Sequence, residues 1–266
     1  MYDDELTRFE ADGALPLPRA DHQGHVENSG ARIWYSCYGS GPAVILLHGG
    51  FGHSGNWGYQ VPALVQNGYR AILIDSRGHG RSTRDSHPYT YELMASDVLA
   101  AMDALVVEKA ALIGWSDGAC TSLILGAKFP DRAAGVFFFG CNMDPTGVNQ
   151  ITEPNLILDR CLSRHKKDYR QLSATPDLWA AFFEAVGLMQ RTQSNYSARD
   201  LSEIKVPVVI VQSEREEFIK REHAEYLARS IPNAELVVLP GVSHFAPLQR
   251  PDLFNRTVLE FLGQIL

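Results

Sequence analysis

The stretch Ala110-Ala111-Leu112-Ile113-Gly114-Trp115-Ser116-Asp117-Gly118-Ala119 limits the possible folds more than any other part of the chain. An apolar run of strand type ends in Gly114-Trp115-Ser116-Asp117-Gly118, and a helical pattern follows at once. G-x-S-x-G in that setting predicts a sharp strand-to-helix turn that pushes a serine hydroxyl out of a sheet. Bulky side chains two residues before or after the serine would strike neighbouring backbone, so glycine suits both places. The helix that starts there points free N–H groups and its positive end at the same spot. Five residues of this type also occur around idle serines, so the rest of the chain must supply the support.

Strands alternating with helices supply it. Ala43-Val44-Ile45-Leu46-Leu47 is wholly apolar, as suits a parallel strand covered on both faces, and leads into His48-Gly49-Gly50-Phe51-Gly52. Ala71 to Asp75 is the next strand, followed by the loop Ser76-Arg77-Gly78-His79-Gly80-Arg81-Ser82. Val136 to Phe139, Val206 to Val211 and Glu235 to Leu239 continue the series. Helical patterns lie between them at Trp57 to Gln66, Tyr91 to Val107, Asp117 to Phe129, Arg221 to Ser230 and Pro251 to Leu266. Gly24 to Tyr38 reads as a hairpin turning at Asn28-Ser29-Gly30.

Two segments break the rhythm. Residues 1–24 carry charges and two prolines without clear periodicity, and read as an N-terminal extension that wraps the surface, joins a partner or is partly disordered. Residues 144–199 lack strand-like runs and hold helical stretches at Asn155 to Lys166 and Pro176 to Arg191, a helical insertion between two strands. The core is then 25–143 with 200–266, an α/β fold with a mostly parallel central sheet and helices on both faces. In such sheets sites lie beyond the carboxyl ends of the strands. His48, Asp75, Ser116 and the loops after Val211 and Leu239 all fall there.

Composition narrows the class. A chain of 266 residues with 45% hydrophobic and 21% charged content is ordinary for a soluble globular protein of one large or two small domains. A net charge of −7 offers no basic surface to nucleic acid and argues against an anionic membrane. Cys37, Cys120, Cys141 and Cys161 form no C-x-x-C pair and read as buried reduced thiols rather than disulfides or zinc ligands. The start, Met-Tyr-Asp-Asp-Glu-Leu, has neither a basic nor an apolar leader segment, and no apolar run approaches the roughly 20 residues that span a bilayer. The expectation is a cytoplasmic enzyme, monomeric or homodimeric, acting on a small molecule without cofactor or metal.

A serine hydroxyl is a weak nucleophile and needs a base within hydrogen-bond reach. Of the nine histidines, His244, in Leu239-Pro240-Gly241-Val242-Ser243-His244-Phe245, follows the last strand and completes the chain order Ser, acid, His. The acid should follow the Val208–Val211 strand, where Glu214, Glu216 and Glu217 compete; Glu216 is the first choice. It would orient the imidazole and stabilise its charged form. An oxyanion hole should form from the N–H of Asp117 and of Phe51, with Gly50 second. Trp115, Asp117 and Phe245 are the expected substrate contacts.

Taken together, His48-Gly49-Gly50, Asp75-Ser76-Arg77-Gly78-His79-Gly80-Arg81-Ser82, Gly114-Trp115-Ser116-Asp117-Gly118 and Gly241-Val242-Ser243-His244-Phe245 resemble the α/β-hydrolase superfamily. The resemblance covers roughly 25–143 and 200–266 and implies that 144–199 is a cap that sets substrate choice. The family's acid is usually an aspartate in a strand-G-x-x-D pattern; here that pattern falls on Ser213-Glu214-Arg215-Glu216, with both glycine and aspartate replaced. The elbow is similar to that of the valacyclovir hydrolase (biphenyl hydrolase-like) group, which implies that Asp117 holds a substrate ammonium. The alternative is that Asp117 caps its own helix. The serine argues against dehalogenase or epoxide hydrolase chemistry, which uses an aspartate nucleophile in this fold. The expected activity is serine hydrolysis of a small carboxylic ester, lactone or activated amide through an acyl-enzyme on Ser116. Carbon–carbon bond hydrolysis, perhydrolysis and a hydrolase-like small-molecule receptor are the alternatives.

Overall fold

The computed structural model describes residues 4–150 and 155–266. Residues 1–3 of the expected extension and 151–154 of the expected insertion lie outside the described residues. The strands are β1 (His22–Asn28), β2 (Ala31–Tyr38), β3 (Ala43–Leu47), β4 (Arg70–Ile74), β5 (Ala110–Trp115), β6 (Ala133–Phe139), β7 (Val208–Arg215) and β8 (Ala234–Ser243). The helices are α1 (Asp4–Asp12), α2 (Gln60–Gln66), α3 (Tyr91–Ala104), α4 (Asp117–Lys128), α5 (Leu156–Leu172), α6 (Trp179–Thr192), α7 (Ala198–Ser202), α8 (Arg221–Ser230), α9 (Ala246–Gln249) and α10 (Pro251–Ile265).

The eight strands form one sheet in the order β1-β2-β4-β3-β5-β6-β7-β8. β2 pairs antiparallel with β1 and β4, and every pair from β4 through β8 is parallel. The first hairpin turns through Ser29 and Gly30 at φ 45° and 81°, the positive pair that matches the twist of the flanking strands. Alternation along the strands divides the core in two. Ile45, Leu47, Ile72, Leu112, Val136 and Phe138 face α3, α4 and α8, whereas Val44, Leu46, Leu73, Ile113, Phe137 and Phe139 face α2 and α10. The strands are buried on both sides, which is why they read as continuous apolar runs.

Departures from the sequence reading have tertiary causes. Residues read as lacking periodicity form α1, whose Leu6 and Phe9 are buried, with the Phe9 ring edge-on to His165 of α5 at 5.7 Å. Two large apolar side chains in nine residues are too few to reveal a helical period. β1 begins at His22, inside the expected extension, because His22 pairs with Cys37. β7 and β8 run past their apolar stretches because their polar ends pair, Arg215 with Ser243. α5 continues to Leu172, beyond the expected Lys166.

Arg77, met in sequence as part of a Gly-punctuated loop, is 1% exposed and serves packing. Its guanidinium makes two hydrogen bonds to Asp97 of α3, at 2.6 and 3.1 Å, and donates to the carbonyls of Asn28 and Ser29. It thereby ties the first hairpin to α3. A buried ion pair with one partner removed leaves an uncompensated charge. Arg77→Met is therefore expected to lower the unfolding free energy by about 3–5 kcal/mol, measured by chemical denaturation.

Candidate active site

Ser116 joins β5 to α4 at φ 55° and ψ −123°, a conformation that residues with a side chain rarely adopt. Backbone bonds hold it there. Its N–H donates to the Phe139 carbonyl at 2.8 Å, and its carbonyl accepts from the Ala119 N–H at 2.7 Å. The glycines are required by contact distances: a Cβ on Gly114 would stand 2.4 Å from the Gly118 carbonyl oxygen, and one on Gly118 2.1 Å from that of Leu47.

Ser116 and His244 line one cavity of about 490 Å³, together with Gly50, Phe51, Trp115, Asp117 and Phe245. The Arg215–Ser243 pairing sets the next residue of each strand, Glu216 and His244, side by side. His244 Nδ1 lies 2.6 Å from Glu216 Oε1. The other two glutamates bind backbone instead. Glu217 accepts from the N–H of His244 at 2.8 Å, and Glu214 accepts from that of Gly241 at 2.6 Å. The ring of His244 is packed edge-on by Phe218 at 4.6 Å. Burial pulls the His244 imidazolium down, but Glu216, Glu217 and Asp117 outweigh it and hold the group above its ordinary 6.5.

The loop after β3 approaches the serine closely. A Cβ on Gly49 would lie 3.2 Å from that of Ser116. Phe51 adopts φ 65°, and its ring stacks on Phe183 of α6 at 4.6 Å. Asp117, as the first residue of α4, contributes one of the N–H groups that have no intrahelical acceptor. The loop is positioned by His48 and Asp75. His48 Nε2 accepts from the Ser76 N–H at 3.0 Å, so Nδ1 carries the proton toward the Gly49 carbonyl at 2.8 Å. Burial pushes the His48 imidazole to about 4. Asp75 accepts from the N–H groups of Ser54 and Arg81 at 2.7 and 2.8 Å.

The hydrogen bonds of the Asp117 carboxylate run across the cavity wall rather than onto its own helix. Oδ1 accepts from the Tyr91 hydroxyl at 2.9 Å, and Oδ2 from Gln190 Nε2 at 3.0 Å. Burial pushes the Asp117 carboxyl above its ordinary range, and the bonds from Gln190 and Tyr91 pull it part of the way back. Sequence reasoning placed Asp117 here but missed Tyr91 and Gln190. They lie 26 and 73 residues away, so no local pattern marks them. It also passed over Asn56 and His165, which line the same cavity. All four cysteines are buried, and none is in a disulfide.

A serine held in strain at a strand end, sharing a cavity wall with a histidine that follows the last strand, is the arrangement on which α/β hydrolases are built. The chain belongs to the alpha/beta hydrolase family, whose sequence model matches residues 44–257. It is 28% identical over 246 residues to the serine hydrolase BPHL of Mus musculus, covering 88% of this chain and 84% of that one. It is likewise 28% identical over 265 residues to the 2-hydroxy-6-oxo-6-phenylhexa-2,4-dienoate hydrolase of Burkholderia cepacia, covering 88% and 92%. Among solved structures it resembles Est816, an N-acyl homoserine lactone degrading enzyme, with TM-score 0.74, 26% identity and coverage of 90% and 100%. No helix among the described residues is long and apolar enough to cross a membrane.

The electrostatics of His244 can be read directly. Its apparent pKa, followed by NMR of the imidazole, is expected above 6.5. In Glu216→Gln the imidazolium loses its nearest negative charge, so the value should fall; a value unmoved by that change would show that Glu216 does not govern the ring.

Proposed function

We propose that the chain is a serine hydrolase that cleaves a small carboxylic ester, lactone or activated amide. Ser116 Oγ attacks the acyl carbon while His244 Nε2 takes its proton. Glu216 holds Nδ1–H and balances the imidazolium. The N–H groups of Phe51 and Asp117, with Gly50 beside them, receive the developing oxyanion; one such donor is worth about 2.7–4 kcal/mol of barrier. His244 then protonates the leaving group, and water activated by the same imidazole releases the acid. Segment 144–199 acts as the cap, with Phe183 and Gln190 of α6 bounding the substrate space. The observation that carries the reading is the 2.6 Å approach of Glu216 to His244 Nδ1 at the rim of the cavity that Ser116 lines.

Asp117 supplies the finer reading. Its carboxylate lies beside the serine and is anchored by Tyr91 and Gln190. A buried carboxylate at that place favours a cationic substrate group, such as the ammonium of an α-amino ester. The second reading, carbon–carbon bond hydrolysis, is favoured by the dienoate hydrolase relative. A dienoate is itself a carboxylate, and Asp117 would repel it, so the ester reading stands first.

A fluorophosphonate probe should label Ser116, and Ser116→Ala should abolish both labelling and hydrolysis of p-nitrophenyl acetate; retained turnover refutes the mechanism. Glu216→Gln should lower kcat by about 10³–10⁴, whereas Glu214→Gln and Glu217→Gln should cost far less. Asp117→Asn should depress kcat/KM on α-amino esters about 10- to 100-fold more than on their des-amino analogues. Equal losses on both would remove the ammonium reading, and faster turnover of a 2-hydroxy-6-oxodienoate than of any ester would install the second one.

A further inference from the structure

After proline, glycine is the costliest residue in a helix interior, so one that no contact demands calls for a reason. Gly187, well inside α6, is such a residue. Beyond its own helix backbone and chain neighbours, a Cβ built on it would meet only the tip of Arg191 among the described residues, Nη1 at 3.0 Å and Cζ at 3.9 Å. The other α-helical glycines differ. Gly118 at the start of α4 has no room for a Cβ, and one on Gly126 would come to 3.0 Å from methyl groups of Val136 and Val206. Gly263 is unhindered, but it is exposed in the last turn of α10.

The position faces the cavity. Phe182, Val186 and Met189 form the buried face of α6, whereas Phe183, Gly187, Gln190 and Arg191 line the cavity. These four follow the i, i+4, i+7, i+8 spacing of one helical stripe. Phe183 lines the cavity yet is 40% exposed, so it stands at the mouth, and its ring stacks on Phe51 at 4.6 Å. α5 gives the same cavity Leu158 and Leu162, one turn apart. Arg191 does not account for the glycine. Its guanidinium ends a flexible side chain that gives way to a methyl group. Its pairing with Glu184 at 3.0 Å joins two exposed groups and contributes little. At the edge of the space over Gly187, such a guanidinium can cover the face of an aromatic ring.

We propose that Gly187 is a specificity-determining residue: the side chain it lacks leaves room at the cavity mouth for a bulky apolar group of the substrate, such as an aryl ring. The group lies on the backbone of α6 beside Phe183, in a cavity whose α5 wall is the apolar pair Leu158 and Leu162. Burying a ring there gains binding through its apolar area. A larger residue at 187 fills the room and turns the ring away, whereas a substrate of a few carbons does not reach it. α6 stays weaker than it would be with alanine, a trade of stability for activity. The inference rests on the hydrolase reading for the ester that carries the ring, and it names which esters that site prefers.

The test compares ethyl acetate with ethyl 4-phenylbutanoate, which carries the ring on the acyl side, and with 4-phenylbutyl acetate, which carries it on the alcohol side. In the unaltered enzyme one of the two aryl esters should exceed ethyl acetate by at least about tenfold in kcat/KM, chiefly through KM. In Gly187→Leu that ratio should drop to about one while fluorophosphonate still labels Ser116. Gly187→Ala should fall between the two, and its thermal midpoint should rise, because alanine is the better helix former. A glycine kept for the fold alone would do the opposite in Gly187→Ala, with a lowered midpoint and equal losses on all three esters, and that result would overturn the inference. So would the absence of an aryl preference in the unaltered enzyme, or a preference that survives Gly187→Leu. Binding keeps the two readings apart. In Ser116→Ala, calorimetry should give tighter binding of the favoured aryl ester than of ethyl acetate, and adding Gly187→Leu should erase the difference. No turnover of any ester with this binding pattern intact would overturn the hydrolase reading and leave the role of Gly187 standing; turnover without the pattern would do the reverse.

Discussion

The structure depends on how closely the turn between β5 and α4 approaches the end of β3. The backbone there leaves no room for a Cβ at Gly114 or Gly118, and Ser116 is forced to φ 55°. Residues held in such conformations persist only when their surroundings over-determine them. Here the Phe139 carbonyl on one side and the first turn of α4 on the other do so. The same closeness sets Gly49 against Ser116, so one steric constraint positions both the serine and the loop after β3.

A second layer of polar contacts keeps that loop rigid. His48 and Asp75 are buried, and each binds backbone from neighbouring loops, so the strand-end loops are tied to one another. The cost of burying these groups is met by complete pairing of Asp75 and by the neutrality of His48. Charge in the cavity is thus concentrated on few groups. Asp117 lies next to the serine, and carboxylates hold His244 above its ordinary range, whereas His48, His79 and His165 are driven well below it.

The helices over the cavity join this frame through aromatic and amide side chains. Phe183 stacks on Phe51, and Gln190 reaches Asp117. α5 is backed in turn by α1, through Phe9 against His165. α1 therefore supports the far wall of the cavity, a role that a stretch with two buried apolar side chains did not announce in sequence.

Much of the fold was legible from the chain alone because the signals are local. Doubly buried strands must be apolar throughout, a strand-to-helix turn of this sharpness must carry glycines, and the alternation of strands and helices implies a parallel sheet. Those constraints placed Ser116 and His244 at the carboxyl ends of two parallel strands and named Phe51, Gly50, Asp117, Trp115 and Phe245 around them. The choice among Glu214, Glu216 and Glu217 had no local basis, because adjacent residues of one type look alike in sequence. It was made by register: a bulge between Ser213 and Arg215 turns Glu214 to the Gly241 backbone and brings Glu216 level with His244. The partners of Asp117, and the placing of Asn56 and His165 in the same cavity wall, were likewise decided only in three dimensions, since side chains from separate elements come together only once the helices pack across the sheet.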